Sequence, residues 1–91
     1  MVFYARSPQT ETSCVGDRVV VFDRSSGKSL VLNPTGTQLW KSLSRPHNIE
    51  QLVEVLTLDD PTLDSKSIAE DVKQYVEELS QHGVVSIVDA G

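Results

Sequence analysis

The chain is poor in cysteine, in aromatic residues, in basic charge and in long apolar runs, and each shortage excludes something. Cys14 is its one cysteine, so an internal disulfide and any site built on several thiolates are excluded. Cys14 also lies among Thr12, Ser13 and Val15 with no base close in sequence, which reads as a packed or surface thiol rather than a nucleophile. No apolar run approaches the roughly 20 residues that a membrane-crossing helix needs. Met1 to Arg6 lacks the basic start and long apolar core of a secretory signal, so a cytoplasmic protein is expected. The net charge is −5 over 91 residues, whereas nucleic-acid binding ordinarily needs a basic face to displace counterions from phosphate. A basic peptide, or a basic patch on another protein, is the easier partner electrostatically. With only Trp40, Phe3, Phe22, Tyr4 and Tyr75 as aromatics, these five are expected to fill much of the interior. The length suits a single domain over 1–91, because a second would lack a core.

Catalytic and metal-binding patterns are also missing. His47 and His82 stand far apart, with no ligand-type spacing around them. Asp59, Asp60 and Asp64 lack the alternating acids, glycine and closing glutamate of a calcium loop. Gly16, Gly27, Gly36 and Gly83 form no phosphate loop and read as turn or helix-end residues. The chain does not read as an enzyme, and no cofactor is expected.

What the sequence does contain is a β-hairpin that runs directly into a capped helix. Arg18–Asp23 is β-branched and bounded by turn residues, and Lys28–Leu32 is its partner across Ser25-Ser26-Gly27. In the second strand Leu30 and Leu32 share one face, Ser29 and Val31 the other. Asn33 is placed to cap the following helix, with Pro34 at its first position. That helix is expected to end at Leu43 or Ser44, ahead of Pro46. A second helix follows Asn48, which with Gln51 forms a capping box, and carries the stripe Ile49, Leu52, Val53, Leu56. Thr57–Asp64 reads as a polar connector. The third helix is expected to be capped by Ser65 or, better, by Ser67 with Glu70, and to stop at Gly83. Its apolar face is Ile68, Val72, Tyr75, Val76 and Leu79. Val2–Ala5 and Thr10–Cys14 could be extended, and Val84–Val88 closes the chain as a strand. The expected fold is α+β and winged helix-turn-helix-like: an N-terminal three-stranded antiparallel sheet, three helices and a short C-terminal strand.

Lacking catalytic groups, the sequence points to a binding surface. Lys28, Ser29, Leu30, Val31 and Leu32 form an edge strand able to accept a further strand from a peptide. Val72, Tyr75 and Leu79 can line the floor of a groove beside that edge, with Asp71, Gln74 and Glu78 on its polar side. The same apolar stripe equally suits a core. A winged-helix DNA-binding regulator and a non-catalytic protein–protein adaptor remain alternatives, although Glu70, Asp71, Glu77 and Glu78 against Lys73 oppose the first.

In order and spacing the chain resembles PqqD-like proteins, the leader-peptide-binding RiPP recognition elements. The resemblance rests on Val19-Val20-Val21-Phe22, then Leu30-Val31-Leu32-Asn33, Thr35-Gly36 and Leu39-Trp40. It ends on Asp71-Val72, Val76, Leu79 and Gly83-Val84-Val85, which resembles the family's closing D-V-x-x-x-[VF]-x-x-L-x-x-x-G-[LV] run. Arg45-Pro46-His47-Asn48 departs from the D-G-x-x-T common in that family. The resemblance implies binding of the leader of a ribosomally made precursor as an added antiparallel strand along Lys28–Leu32, with leader side chains against Asp71–Leu79. As a lone domain it is most similar to the discrete leader-binding subunit of lasso-peptide biosynthesis. This implies a leader protease and a cyclase as further partners, and no cofactor, membrane or nucleic acid.

Overall fold

The computed structural model describes residues 1–89. In chain order the elements are β1 (Val2–Arg6), β2 (Thr10–Val15), β3 (Arg18–Asp23), β4 (Lys28–Val31), α1 (Pro34–Ser42), α2 (Ile49–Asp59), α3 (Ser65–Gln81) and β5 (Val85–Asp89). The α+β class and the three helices are as expected, but the strands form two sheets instead of one. β2, β3 and β4 make an antiparallel three-stranded sheet in that order, while β1 pairs with β5 in a separate two-stranded ribbon. That ribbon runs from Val2 opposite Asp89 to Arg6 opposite Val85. Pairing so distant in sequence leaves no local signature, so the partner of β1 could not be read from the chain.

Local chemistry sets the helix starts. The Asn33 side chain accepts from the Gly36 N–H at 2.7 Å, and Pro34 occupies the first turn. The capping box at α2 is complete: Asn48 accepts from the Gln51 N–H at 2.8 Å, and the Asn48 N–H donates to Gln51 Oε1 at 2.9 Å. At α3 the cap is Asp64 rather than Ser65 or Ser67, its carboxylate accepting from the Lys66 N–H at 3.1 Å. Aspartate at this position both accepts the amide and complements the positive helix end. Ser67 becomes a helical residue whose hydroxyl donates to the same carboxylate at 3.3 Å. Helix α2 also runs further than its apolar stripe suggests, taking in Thr57, Leu58 and Asp59. Gly83 follows the last helix at φ +79°, the left-handed geometry in which glycine alone is unstrained.

The core lies between the three-stranded sheet and the helices. Leu39, Trp40, Leu43, Leu52 and Val76 are fully buried, and each such side chain stabilises the fold by roughly 1.5–3 kcal/mol. Trp40 Nε1–H donates to the Thr12 hydroxyl at 2.9 Å, so its one polar atom is satisfied. Arg6 ties the ribbon to this core. Its Nε and Nη2 both donate to the Trp40 carbonyl, at 2.9 and 2.7 Å, and its guanidinium lies 4.9 Å from the Trp40 ring centroid. Arg6 thereby caps a carbonyl in the last turn of α1, where a cation is favoured. Of the five aromatics, Trp40 and Tyr4 are buried, Phe3 and Tyr75 are partly buried, and Phe22 is exposed. Phe22 falls outside because the side chains of β3 alternate, and Val19, Val21 and Asp23 take the inner face. Cys14 is exposed on β2.

Candidate functional site

The β3–β4 turn is built around one carboxylate. Asp23 accepts the Ser25 N–H at 3.0 Å and the Ser26 hydroxyl at 3.1 Å, and its carbonyl accepts the Gly27 N–H at 2.8 Å. The donated Ser25 amide, helped by the Ser26 hydroxyl, holds the Asp23 carboxyl below the usual carboxylate range despite its burial. Gly27, at φ +74°, completes the reversal.

Beyond the turn, β4 pairs only with β3 among the described residues. Val21 stands opposite Leu30 and Phe22 opposite Ser29. The Leu32 N–H still donates to the Val19 carbonyl at 2.9 Å, extending the pairing one residue past the strand. In an antiparallel ladder, residues pointing their backbone groups at one neighbour alternate with residues pointing away. Since Leu32 and Leu30 bond towards β3, Ser29 and Val31 direct their N–H and C=O groups at the open edge.

That edge faces α3 across a groove of three connected hollows. One, of about 300 Å³, lies against the turn and includes Asp23, Ser29, Leu30, His82 and Val84. The middle one, of about 160 Å³, lies between Leu30, Val31 and Leu32 of the edge and Tyr75, Glu78 and Leu79 of α3, with His82 at the helix's C-cap. The third, of about 220 Å³, runs under the start of α1 between Asn33, Thr35, Ile68, Asp71, Val72 and Tyr75. Leu30 and His82 are shared by the first two, and Tyr75 by the last two. Of the residues singled out in the sequence, Lys28, Ser29, Leu30, Val31 and Leu32 line the edge wall. Asp71, Val72, Tyr75, Glu78 and Leu79 line the helix wall. Gln74 is exposed on the same helix and lines none of the three hollows. Val72 and Leu79 are buried, so they serve the core and the groove floor together.

Several groove residues are not among the site candidates singled out in the sequence. His82 follows Glu78 by one helical turn and extends the wall of the groove, which the helical period alone could have shown. Asn33 and Thr35 enter because α1 begins where the strand ends. Gly36, which reads as a turn residue, sits inside the first turn of α1. There a Cβ would collide with the ring and hydroxyl of Tyr75, so its role is to admit that side chain. Burial, reinforced by the charge of Glu78, pushes the Tyr75 phenol above the ordinary tyrosine value, against an opposing contribution from the Asn33 backbone. The groove thus combines an apolar floor, hydrogen-bonding groups along one wall, and the carboxylates of Asp71 and Glu78 along the other. Among the described residues no group of three or more His, Cys, Asp or Glu is placed to hold a metal, and no helix is long and apolar enough to cross a membrane.

The family model of coenzyme PQQ synthesis protein D, PqqD, matches residues 18–85, and the chain belongs to this family. Two solved structures share the fold. One is TbiB1 in complex with the TbiA(β) leader peptide, with a TM-score of 0.83 at 17% identity over 90% of this chain and 94% of that one. The other is a lasso peptide synthetase B1 complexed with the leader peptide, with a TM-score of 0.78 at 17% identity, covering 91% of this chain and 96% of the other. Among curated proteins no sequence matches the chain.

Proposed function

We propose that this chain is a leader-peptide-binding element of lasso-peptide biosynthesis. It holds the leader of a ribosomally made precursor as a strand added to β4 and presents the precursor to a leader protease and a cyclase. The observation that carries this reading is the outward direction of the Ser29 and Val31 backbone groups along a groove walled by Tyr75, Glu78 and Leu79. Strand addition gives affinity through main-chain hydrogen bonds and selectivity through pockets for alternate side chains. Family membership and the two leader-peptide complexes of the same fold support it. On this reading Lys28–Leu32 contribute the edge. Val72, Tyr75 and Leu79 contact apolar leader side chains, while Asp71, Gln74 and Glu78 meet its polar or basic groups. The chain acts as one non-catalytic, cytoplasmic domain with the winged helix-turn-helix arrangement. Leader binding is favoured over DNA binding by the acids on the exposed side of α3, Glu70, Asp71, Glu77 and Glu78.

Fluorescence polarisation with a labelled peptide from the leader of a neighbouring small open reading frame tests the proposal, with a scrambled peptide as control. Saturable binding at micromolar concentration or tighter is expected, with a loss of at least about tenfold, or ~1.4 kcal/mol, for Leu30→Asp. A Leu30→Asp variant that retains its circular dichroism and binds as tightly as the parent would overturn the assignment of this groove.

A further inference from the structure

The hydrogen-bonding pattern of β4 has a second side. Ser29 and Val31, whose backbone groups point at the open edge, are also the residues whose side chains leave the groove and stand on the outer face of the sheet. Val31 is 64% exposed. On that face it lies directly opposite Val20 of β3, and Ser29 lies opposite Phe22. Val20 is only partly buried and Phe22 is 37% exposed. An aliphatic stripe ending on an open edge is a liability for a free protein, and natural sheets usually break such an edge with charge. Here the charge on β4 is confined to Lys28 at the turn end, so the Val20–Val31 pair runs uncharged to the margin where the proposed strand would dock.

From this we infer that the docked leader is read on both faces of the sheet, the outer one through Val31 and Val20. This rests on the strand-addition reading of the same edge. The geometry is fixed by the pairing rule: whichever leader residue forms the hydrogen-bonded pair with Val31 places its side chain on the outer face beside it. The next leader residue, opposite Leu30, turns into the groove. The ligand class is therefore narrower than a peptide with apolar residues at alternate positions. It carries an aliphatic residue, preferably β-branched, immediately before the residue that enters the groove. A bulky groove residue with a charged neighbour on its N-terminal side would be rejected.

The probe is a displayed library of random peptides about twelve residues long, selected in parallel on the parent chain and on Val31→Thr. Threonine keeps the branched shape and the strand preference at an exposed position, so the sheet is retained. On the parent, enriched peptides are expected to share an apolar groove residue preceded by Val, Ile or Leu. On Val31→Thr the groove residue should persist while the preference before it shifts to polar residues. A synthetic peptide from the parent selection should bind Val31→Thr about two- to five-fold more weakly, the range of one cross-strand pair. Selected peptides with an apolar groove residue and no preference before it, on the parent as on the variant, would overturn the outer-face reading and leave strand addition standing. A selection in which no peptide family emerges, or in which enriched peptides bind equally well to Leu30→Asp, would overturn both.

Discussion

The ring of Tyr75 is seated on the backbone of Gly36. Helix α3 and the first turn of α1 approach so closely there that a methyl group on Gly36 and the phenol of Tyr75 could not share the space. The contact matters because Tyr75 belongs to both the middle and the inner hollows of the groove. Gly36 therefore sets the width of the groove without lining it.

Gly36→Ala is expected to separate stability from binding. Alanine favours a helix interior over glycine by about 1 kcal/mol. The clashing atoms are the far end of one side chain, which can rotate out of its seat. The ring then occupies the hollow that a ligand would fill. Thermal unfolding should shift by only a few degrees, while leader affinity falls about tenfold, or ~1.4 kcal/mol. A variant with parental affinity would show that the seat of Tyr75 is irrelevant to the groove.

Arg6→Lys is expected to destabilise the chain by about 1 kcal/mol, measured by urea unfolding. A lysine can place one donor on the Trp40 carbonyl but not two, and it loses the planar contact with the indole. Arg6→Ala should cost more, about 2 kcal/mol, because the packing of its stem is lost as well. Leader affinity should be unchanged in both, since Arg6 lies on β1 and lines none of the three hollows.

Acid should loosen the β3–β4 turn. Folding lowers the Asp23 pKa, so its contribution to stability is present above the ordinary aspartate value of 3.8 and is lost as the pH falls through the lower folded value. Asp60, held low chiefly by the Thr62 hydroxyl and then by its N–H, acts in the same direction. Asp23→Asn is expected to flatten part of the stability loss as the pH falls below the ordinary aspartate value of 3.8 in chemical-denaturation series. An unchanged slope would place the acid sensitivity elsewhere.

The parts of this fold that could be read in the chain are those decided by neighbours in sequence. Asn33 with Pro34, the Asn48–Gln51 box, the Gly83 stop and the hairpin around Ser25-Ser26-Gly27 are each settled within a few residues. The apolar stripes of α2 and α3 follow from the helical period. The rest depends on distant partners. Val2–Arg6 is an ordinary short strand until Val85–Asp89 lies beside it. Asp64 takes the cap in place of Ser65 or Ser67, its carboxylate accepting both the Lys66 N–H and the Ser67 hydroxyl. Phe22 reads as core by composition, yet it is turned outward by the alternation that buries Asp23. At the site, the edge and the helix face were legible as a strand and a stripe. The seat of Tyr75 on Gly36 exists only once α1 and α3 are assembled.

The β1–β5 ribbon has a consequence for the order of assembly. Its pairs join residues from 79 apart, Arg6 with Val85, to 87 apart, Val2 with Asp89, so closing it carries the largest loop-closure entropy among the paired strands. The β2–β3–β4 meander and the α1–α2 pair are local by comparison and can form on faster clocks. β1 therefore depends for its sheet partner on a strand at least 79 residues further along the chain. On the side away from β5, Tyr4 exchanges two backbone hydrogen bonds with His47, at 2.8 and 2.9 Å. That bridge ties β1 to the α1–α2 connection across about half the sequence distance that separates it from β5, so β1 has a nearer anchor that closes at smaller entropic cost.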